Sequence, residues 1–290
     1  MKKMYQNLIE SLGLELIEII EDRRGSLVLK VSRDGENFVL KCCDLSIKDD
    51  YDRGKLIRYE AVVLQEINDL IGNQYVSHGE DNLCGPWILL RWITGEKVSS
   101  LGLKFRASNQ KDLCSKFTQL FISIISTYKD IHHRGFLHGD IQPQHILLVK
   151  NLNEIVLLDW GLAQRINGNN PPYKGGLIHY VAPEIARGML EEISSIEYNF
   201  SSEIYSMGAL LYFLYTGETA VNYGPGTVNE IPFKQKLEAV AKNNLRGFSN
   251  PNSECESRLQ SIIKKCLSSE SHSRFASTDA LYDALINISN

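Results

Sequence analysis

The hydrophobic rhythm of this chain changes once, near Arg91 to Glu96, and that change constrains the fold more than any other feature. Before it, apolar residues gather in short β segments, Leu16–Ile20, Ser26–Val31 and Asn37–Cys42. Gly25 and the pair Asp34-Gly35 punctuate them, the latter a strong hairpin signal. Leu56, Glu60, Val63, Leu64, Ile67 and Ile71 then recur at helical spacing, and Trp87–Ile93 is an apolar strand-like run that Gly95 ends. Beyond the change, Leu113, Phe117, Leu120, Phe121, Ile124, Tyr128 and Ile131 mark a long amphipathic helix, and Ile155–Leu158 a short strand. After Pro183 the helical period takes over, in Ser202–Tyr215, Phe233–Lys242, Leu259–Leu267 and Ser277–Ile288. A β-rich first third followed by a helix-rich remainder predicts an α+β chain in two lobes.

Composition excludes several classes. With 43 % hydrophobic and 23 % charged residues in 290, the chain can bury a core and is not compositionally disordered. A net charge of −4 provides no basic field, so no nucleic-acid partner is expected. Met207–Tyr215, the most apolar run, is about half a membrane span, so no membrane partner is expected either. Met1 to Leu12 lacks a signal-peptide apolar core, and Lys2 occupies the place where myristoylation needs glycine. The six cysteines form no CxxC pair and have no histidine at zinc spacing, so they read as reduced thiols of a cytoplasmic protein.

The chemistry concentrates in two triplets about twenty residues apart, His138-Gly139-Asp140 and Asp159-Trp160-Gly161. Ile155-Val156-Leu157-Leu158 runs straight into the second. A strand that delivers a carboxylate into a glycine turn aims a metal ligand at a cleft. Read singly, each residue has an ordinary explanation: Lys41 as a solvated strand residue, Glu60 as a helix-surface acid, Asp140 as a turn cap, and His132 and His133 as partners of a helix C-terminal dipole. His138 reads as a packed structural histidine.

Together with Ala182-Pro183-Glu184, Ser202-Glu203-Ile204-Tyr205-Ser206-Met207-Gly208, Arg274 and Phe38-Val39-Leu40-Lys41, these triplets resemble the motifs of the eukaryotic-like protein kinase superfamily, from about Leu16 to Ile286. The resemblance implies one two-lobed domain over 1–290. Its small β-rich N-lobe, with one regulatory helix, would cover about 1–93, its hinge about 91–96 and its helical C-lobe about 96–290. It further implies ATP and Mg²⁺ or Mn²⁺ as cofactors and a protein or peptide substrate, leaving the oligomeric state open. Lys41 would hold the α- and β-phosphates and Glu60 would orient it. Gly25 would remain from the glycine-rich loop, Leu90 would close the back of the adenine pocket, and the backbone of Arg91 and Ile93 would bond the purine. Asp140 would act as the catalytic base, with Gln142 beside it, and Asp159 and His145 would hold the metal. Glu203 would brace the catalytic loop from beneath, where the family carries Asp, and Glu184 would pair with Arg274.

The departures from the family bear on activity. Asp22-Arg23-Arg24-Gly25-Ser26 keeps a single glycine of the phosphate loop. His-Arg-Asp has become His-Gly-Asp, and Leu162 to Pro183 holds no Ser or Thr, so activity is expected not to need Ser/Thr phosphorylation there. Gln142 stands where Ser/Thr kinases place Lys, His145 where they place Asn, and Leu177 where they place Thr. An imidazole ligand favours Mn²⁺ over Mg²⁺. Three readings stay open: a Ser/Thr kinase of proteins or peptides, which is favoured; a pseudokinase scaffold; and a small-molecule or specialised peptide kinase.

Overall fold

A computed structural model describes residues 3–23, 26–43, 53–82, 84–108, 112–149, 154–173 and 175–289. The chain forms two compact units, Met1–Thr94 and Gly95–Asn290. Gly25, singled out above as the remnant of a phosphate loop, lies outside the described residues.

The first unit contains α1 (Lys3–Ser11), β1 (Glu15–Arg23), β2 (Ser26–Arg33), β3 (Glu36–Cys43), α2 (Arg53–Glu66), β4 (Tyr75–Asp81) and β5 (Gly85–Arg91). The strands form one antiparallel sheet in the order β1-β2-β3-β5-β4. Asp34 and Gly35 both take positive φ, 54° and 80°, the backbone that a two-residue hairpin between β2 and β3 requires. Along β2 every second residue is buried, and Leu27, Leu29 and Val31 pack with Leu40 and Cys42 of β3 against Tyr5, Leu8 and Ile9 of α1. The period of two therefore turns Lys41, between Leu40 and Cys42, to the opposite face, opposite Val28 and Ile88. Helix α2 packs on β3, β4 and β5 and buries Ile57, Glu60, Ala61, Val63 and Leu64.

The second unit contains β6 (Glu96–Lys97), α3 (Val98–Ala107), α4 (Leu113–His133), β7 (Phe136–Leu137), β8 (Ile146–Val149), β9 (Glu154–Leu157), β10 (Gln164–Arg165), α5 (Pro183–Leu190), α6 (Phe200–Thr216), α7 (Phe233–Ala241), α8 (Glu254–Cys266) and α9 (Thr278–Ser289). Its axis is α6, buried without a break from Ser202 to Tyr212, as a helix apolar on all sides must be. Asn199 starts it by accepting the amides of Ser201 and Ser202 at 3.0 and 3.2 Å, and Gly217, at φ 86°, ends it. The strands pair as β6-β8-β9 and β10-β7, two small sheets that hold the loops between them. Among the described residues no helix is long and apolar enough to cross a membrane.

The structure corrects one expectation. Cys114, in the first turn of α4, and Cys255, in the first turn of α8, form a disulfide across 141 residues. The packing of α4 on α8 brings them together, a proximity that spacing along the chain cannot reveal. Cys42, Cys43, Cys84 and Cys266 remain free and buried. Closing so long a loop restricts the unfolded chain, so reduction or Cys114→Ser is expected to cost roughly 2–5 kcal/mol. Thermal unfolding with and without reductant measures this, alongside a thiol titration in denaturant that should rise from four thiols to six. An unfolding temperature indifferent to reductant would contradict it.

Candidate active site

Two separate groups of side chains carry the expected chemistry, one in each unit. In the first unit Lys41 Nζ meets Glu60 Oε1 at 2.6 Å, and both side chains are largely buried. β3 turns Lys41 away from the α1 core, and α2 presents Glu60 from its buried side. Leu90 is buried at the end of β5. The Arg91 amide donates to the Gln74 carbonyl at 2.7 Å and the Trp92 amide to the Asn37 carbonyl at 3.0 Å, so of the Arg91 backbone only the carbonyl is left to accept from a ligand.

In the second unit β7 leads into His138-Gly139-Asp140, a 3-10 turn at Pro143–His145 follows, and β8 carries the chain away. The antiparallel partner β9 returns to Leu158 and Asp159, and the Leu158 amide donates to the His145 carbonyl at 2.8 Å. Asp159 has φ 64°, a left-handed backbone that costs a non-glycine residue about 1–2 kcal/mol and directs its carboxylate out of the strand line. Trp160 behind it is fully buried, 4.6 Å from the His138 ring.

Beneath this loop lies a buried carboxylate, Glu203 of α6. It accepts the His138 amide at 2.8 Å, the Gly139 amide at 3.1 Å and the His132 Nε2 proton at 3.0 Å. Burial alone would raise its pKa, but the His132 and His138 hydrogen bonds outweigh that and hold it below the usual carboxylate range. His132 is thus more than a helix-end residue: its Nδ1 bonds the Thr278 hydroxyl, whereas His133 faces outward to Asp279. His138 accepts the Asp140 amide on Nδ1 at 3.2 Å and donates from Nε2 to the Leu158 carbonyl at 3.1 Å. Its burial lowers its pKa to about 4, so it is a neutral structural ring.

Gly139 has φ 78°, and a Cβ there would lie 2.0 Å from the Leu162 carbonyl oxygen. No arginine fits this position on this backbone. The Asp140 carboxylate accepts Gln142 Nε2 on Oδ2 at 3.0 Å and faces the Leu177 amide from Oδ1 at 3.4 Å. Burial raises its pKa and the Asp159 charge adds to that, while His145 acts in the opposite direction. His145 Nδ1 donates to the Asp140 carbonyl at 3.1 Å, leaving Nε2 3.6 Å from Asp159 Oδ2. A lone pair aimed at a carboxylate is repulsive unless a cation, a proton or a metal, lies between them. Among the described residues no three His, Cys, Asp or Glu side chains converge on a metal. The His145–Asp159 pair offers a divalent ion one imidazole nitrogen and one carboxylate oxygen.

Farther out, Arg274 grips Glu184 with two bonds of 2.7 and 2.8 Å and donates to the carbonyls of Ser201 and Ser268. The paired charges are thus fully bonded, and Arg274 pulls the Glu184 pKa down against the opposing effect of burial. This ion pair is the one expected from the sequence. Three contacts were not anticipated there: the His132–Glu203 bond, the Leu177 amide on Asp140, and a bond from the Tyr173 hydroxyl to the Gly139 carbonyl. Only the unusual residues at 139 and 177 hinted at the last two.

A family model of the protein kinase domain matches residues 24–286. The chain is 24 % identical over 235 residues to "Serine/threonine-protein kinase D" of Synechocystis, covering 80 % of this chain and 42 % of that protein. It is 26 % identical to "Serine/threonine-protein kinase ppk34" of Schizosaccharomyces pombe, over 83 % of this chain and 60 % of that one. Mouse "Serine/threonine-protein kinase Nek1" is 29 % identical over 73 % of this chain and 17 % of its own length. The chain thus spans from under a fifth to three-fifths of these relatives. Among solved structures, the Cydia pomonella granulovirus kinase PK-1 superposes with a TM-score of 0.65 over 96 % of this chain and 95 % of that one, at 14 % identity, a likeness of fold.

The buried groups make stability depend on pH. His138 titrates near 6.5 when unfolded and near 4 when folded, so its contribution is complete above pH 6.5 and is lost as pH falls toward 4. That loss is on the order of 3 kcal/mol. His179, lowered by burial, acts in the same direction, and Glu203 and Glu184, held low, extend the loss below about pH 4.5. Urea unfolding at pH 7.5, 5.5 and 4.5 should give steadily lower midpoints; a constant midpoint from 7.5 to 4.5 would refute this origin.

Proposed function

The chain belongs to the protein kinase domain family, and on that premise we propose that it transfers the γ-phosphoryl group of ATP to a Ser or Thr hydroxyl of a protein or peptide. The observation that carries the reading is the placing of two carboxylates, Asp140 and Asp159, on either side of the His145 ring. Lys41, held by Glu60, positions the α- and β-phosphates; Leu90 and the backbone of Arg91 and Ile93 receive the adenine. Asp159 and His145 hold the divalent ion, which when bound supplies positive charge to the phosphate oxygens.

Asp140 orients the acceptor hydroxyl. As the new O–P bond forms and the β–γ bridge breaks, the hydroxyl proton passes to the Asp140 carboxylate and ADP departs. Gln142 on Oδ2 and the Leu177 amide near Oδ1 hold that carboxylate in one orientation. A raised pKa makes Asp140 a better proton acceptor than an exposed aspartate. The protein's contribution is position and charge, because the transition state is loose.

One observation favours the scaffold reading. Gln142 uses its amide on Asp140 and brings no cation to the transferring phosphoryl group. A thermal shift with ATP and metal, without transfer to any acceptor, would decide for it. Cytoplasmic residence, inferred from thiols read as reduced, now depends on the state of Cys114 and Cys255 in the cell.

Asp159→Ala should lower labelled-phosphate transfer at least roughly a thousandfold, the several kcal/mol of metal charge stabilisation. Turnover should be faster with Mn²⁺ than with Mg²⁺, and His145→Asn should shift the ratio toward Mg²⁺. Label incorporation that survives Asp159→Ala, or Mg²⁺ turnover at least equal to Mn²⁺ in the wild type, would refute the respective claim.

A further inference from the structure

The segment that follows Asp159-Trp160-Gly161 is seated on the catalytic loop at three places, Tyr173, Gly176 and Leu177. Tyr173 is buried, its ring stacked on Tyr198 at 4.2 Å and 29°, and its backbone bridges to Ile196. Its hydroxyl donates to the Gly139 carbonyl at 2.7 Å. Gly176 lies so close to Asp140 that a Cβ would come within 2.5 Å of Oδ1, and the Leu177 amide faces the same oxygen.

The acceptor of the Tyr173 bond matters more than the bond's strength. The Gly139 carbonyl belongs to the peptide plane whose amide is that of Asp140. The His138 ring holds that amide at 3.2 Å, and Tyr173 holds the carbonyl at the other end. The plane from which the Asp140 side chain departs is therefore pinned at both ends. Gly139 is anchored on its other side too, its own amide bonded to Glu203.

We infer that Tyr173 is a positioning residue: its phenol fastens the activation segment to the catalytic loop and sets the direction of the Asp140 carboxylate without phosphorylation. This rests on the phosphotransferase reading above. Two features stand against a route through Ser/Thr phosphate. The Leu162 carbonyl forbids any side chain at position 139, and residues 162–183 contain no Ser or Thr. The phenol itself is out of reach of a modifying enzyme while buried, and burial keeps it protonated and able to donate.

The test is Tyr173→Phe, which keeps the ring stack and removes only the donor. Losing one neutral hydrogen bond to a group that orients the base should lower kcat roughly three- to tenfold, with KM for ATP unchanged. Phosphatase treatment of the wild type should leave its rate unaltered. A contact serving stability alone would lower the unfolding temperature and leave kcat at the wild-type value, and that result would overturn the inference. Amide hydrogen exchange provides an arm independent of turnover. In Tyr173→Phe, amides 175–177 and 139–140 should exchange faster than in the wild type, and unchanged exchange overturns the inference even if the wild type proves inactive. A wild type that transfers no phosphate refutes the proposed function by itself, and exchange then decides the clasp alone. Should Tyr173→Phe fail to fold, Gly176→Ala addresses the same seating by pressing a methyl group on Asp140. Its kcat should also fall, and a wild-type kcat would count against the inference.

Discussion

The catalytic loop depends on one buried carboxylate. Glu203 sits in the most enclosed helix of the second unit and accepts two consecutive main-chain amides, those of His138 and Gly139. A negative charge at such a depth is costly unless donors surround it, and here the two amides and the His132 imidazole do so. The dependence is mutual. Without the carboxylate two buried amides would lose their acceptor, and without the amides α6 would carry an uncompensated charge. Breaking an arrangement of this kind by removing one partner typically costs about 3–5 kcal/mol. The fold therefore enforces the loop's backbone path before any substrate is present.

The departures at residues 139, 173 and 177 follow from that path. With the His138 and Gly139 amides drawn toward Glu203, Gly139 takes φ 78° and passes against the Leu162 carbonyl, leaving no room for a side chain. An arginine that could grip a phosphate is therefore excluded on steric grounds. What the loop lacks in side chain is supplied from the following segment, by a phenol on the Gly139 carbonyl and by the Leu177 amide toward Asp140. The glycine at 139 and the buried tyrosine at 173 meet in one packing arrangement.

Much of this was legible in the sequence where the signal is local or periodic. The Asp34-Gly35 hairpin announced itself by dipeptide chemistry, α4 by helical period and α6 by the apolar run Met207–Tyr215. Lys41 and Glu60, read singly, were a solvated strand residue and a helix-surface acid, and the resemblance is what paired them. Glu184 and Arg274, ninety residues apart, were paired only through resemblance, since nothing local links them. Other elements carried weak signals. Helix α1 is short, α3 contains Gly102, and β4 reads Tyr-Val-Ser-His-Gly-Glu-Asp, polar for a strand and closed over by Trp87 against Gly79. The Cys114–Cys255 bond and the inward turn of His132 were invisible for a common reason: both depend on which helices pack together, and a single chain's spacing does not encode that.

The loop's main chain is held by a dense set of partners within the fold. The amides of His138, Gly139 and Asp140 go to Glu203 and the His138 ring; the carbonyls of Gly139, Asp140 and His145 go to Tyr173, the His145 ring and the Leu158 amide. Each is a buried or half-buried backbone group that would otherwise be left without a partner. In a loop specified in this way, the Asp140 carboxylate keeps its bearing with Gly139, Gln142 and His145 as its neighbours. The residue types at 142 and 145 set the charge and ligand chemistry available to the phosphates, while the Glu203 and Leu158 bonds hold the backbone that presents Asp140 and Asp159. That separation of frame from chemistry is why the family's fold and an unusual set of active-site residues coexist in one chain.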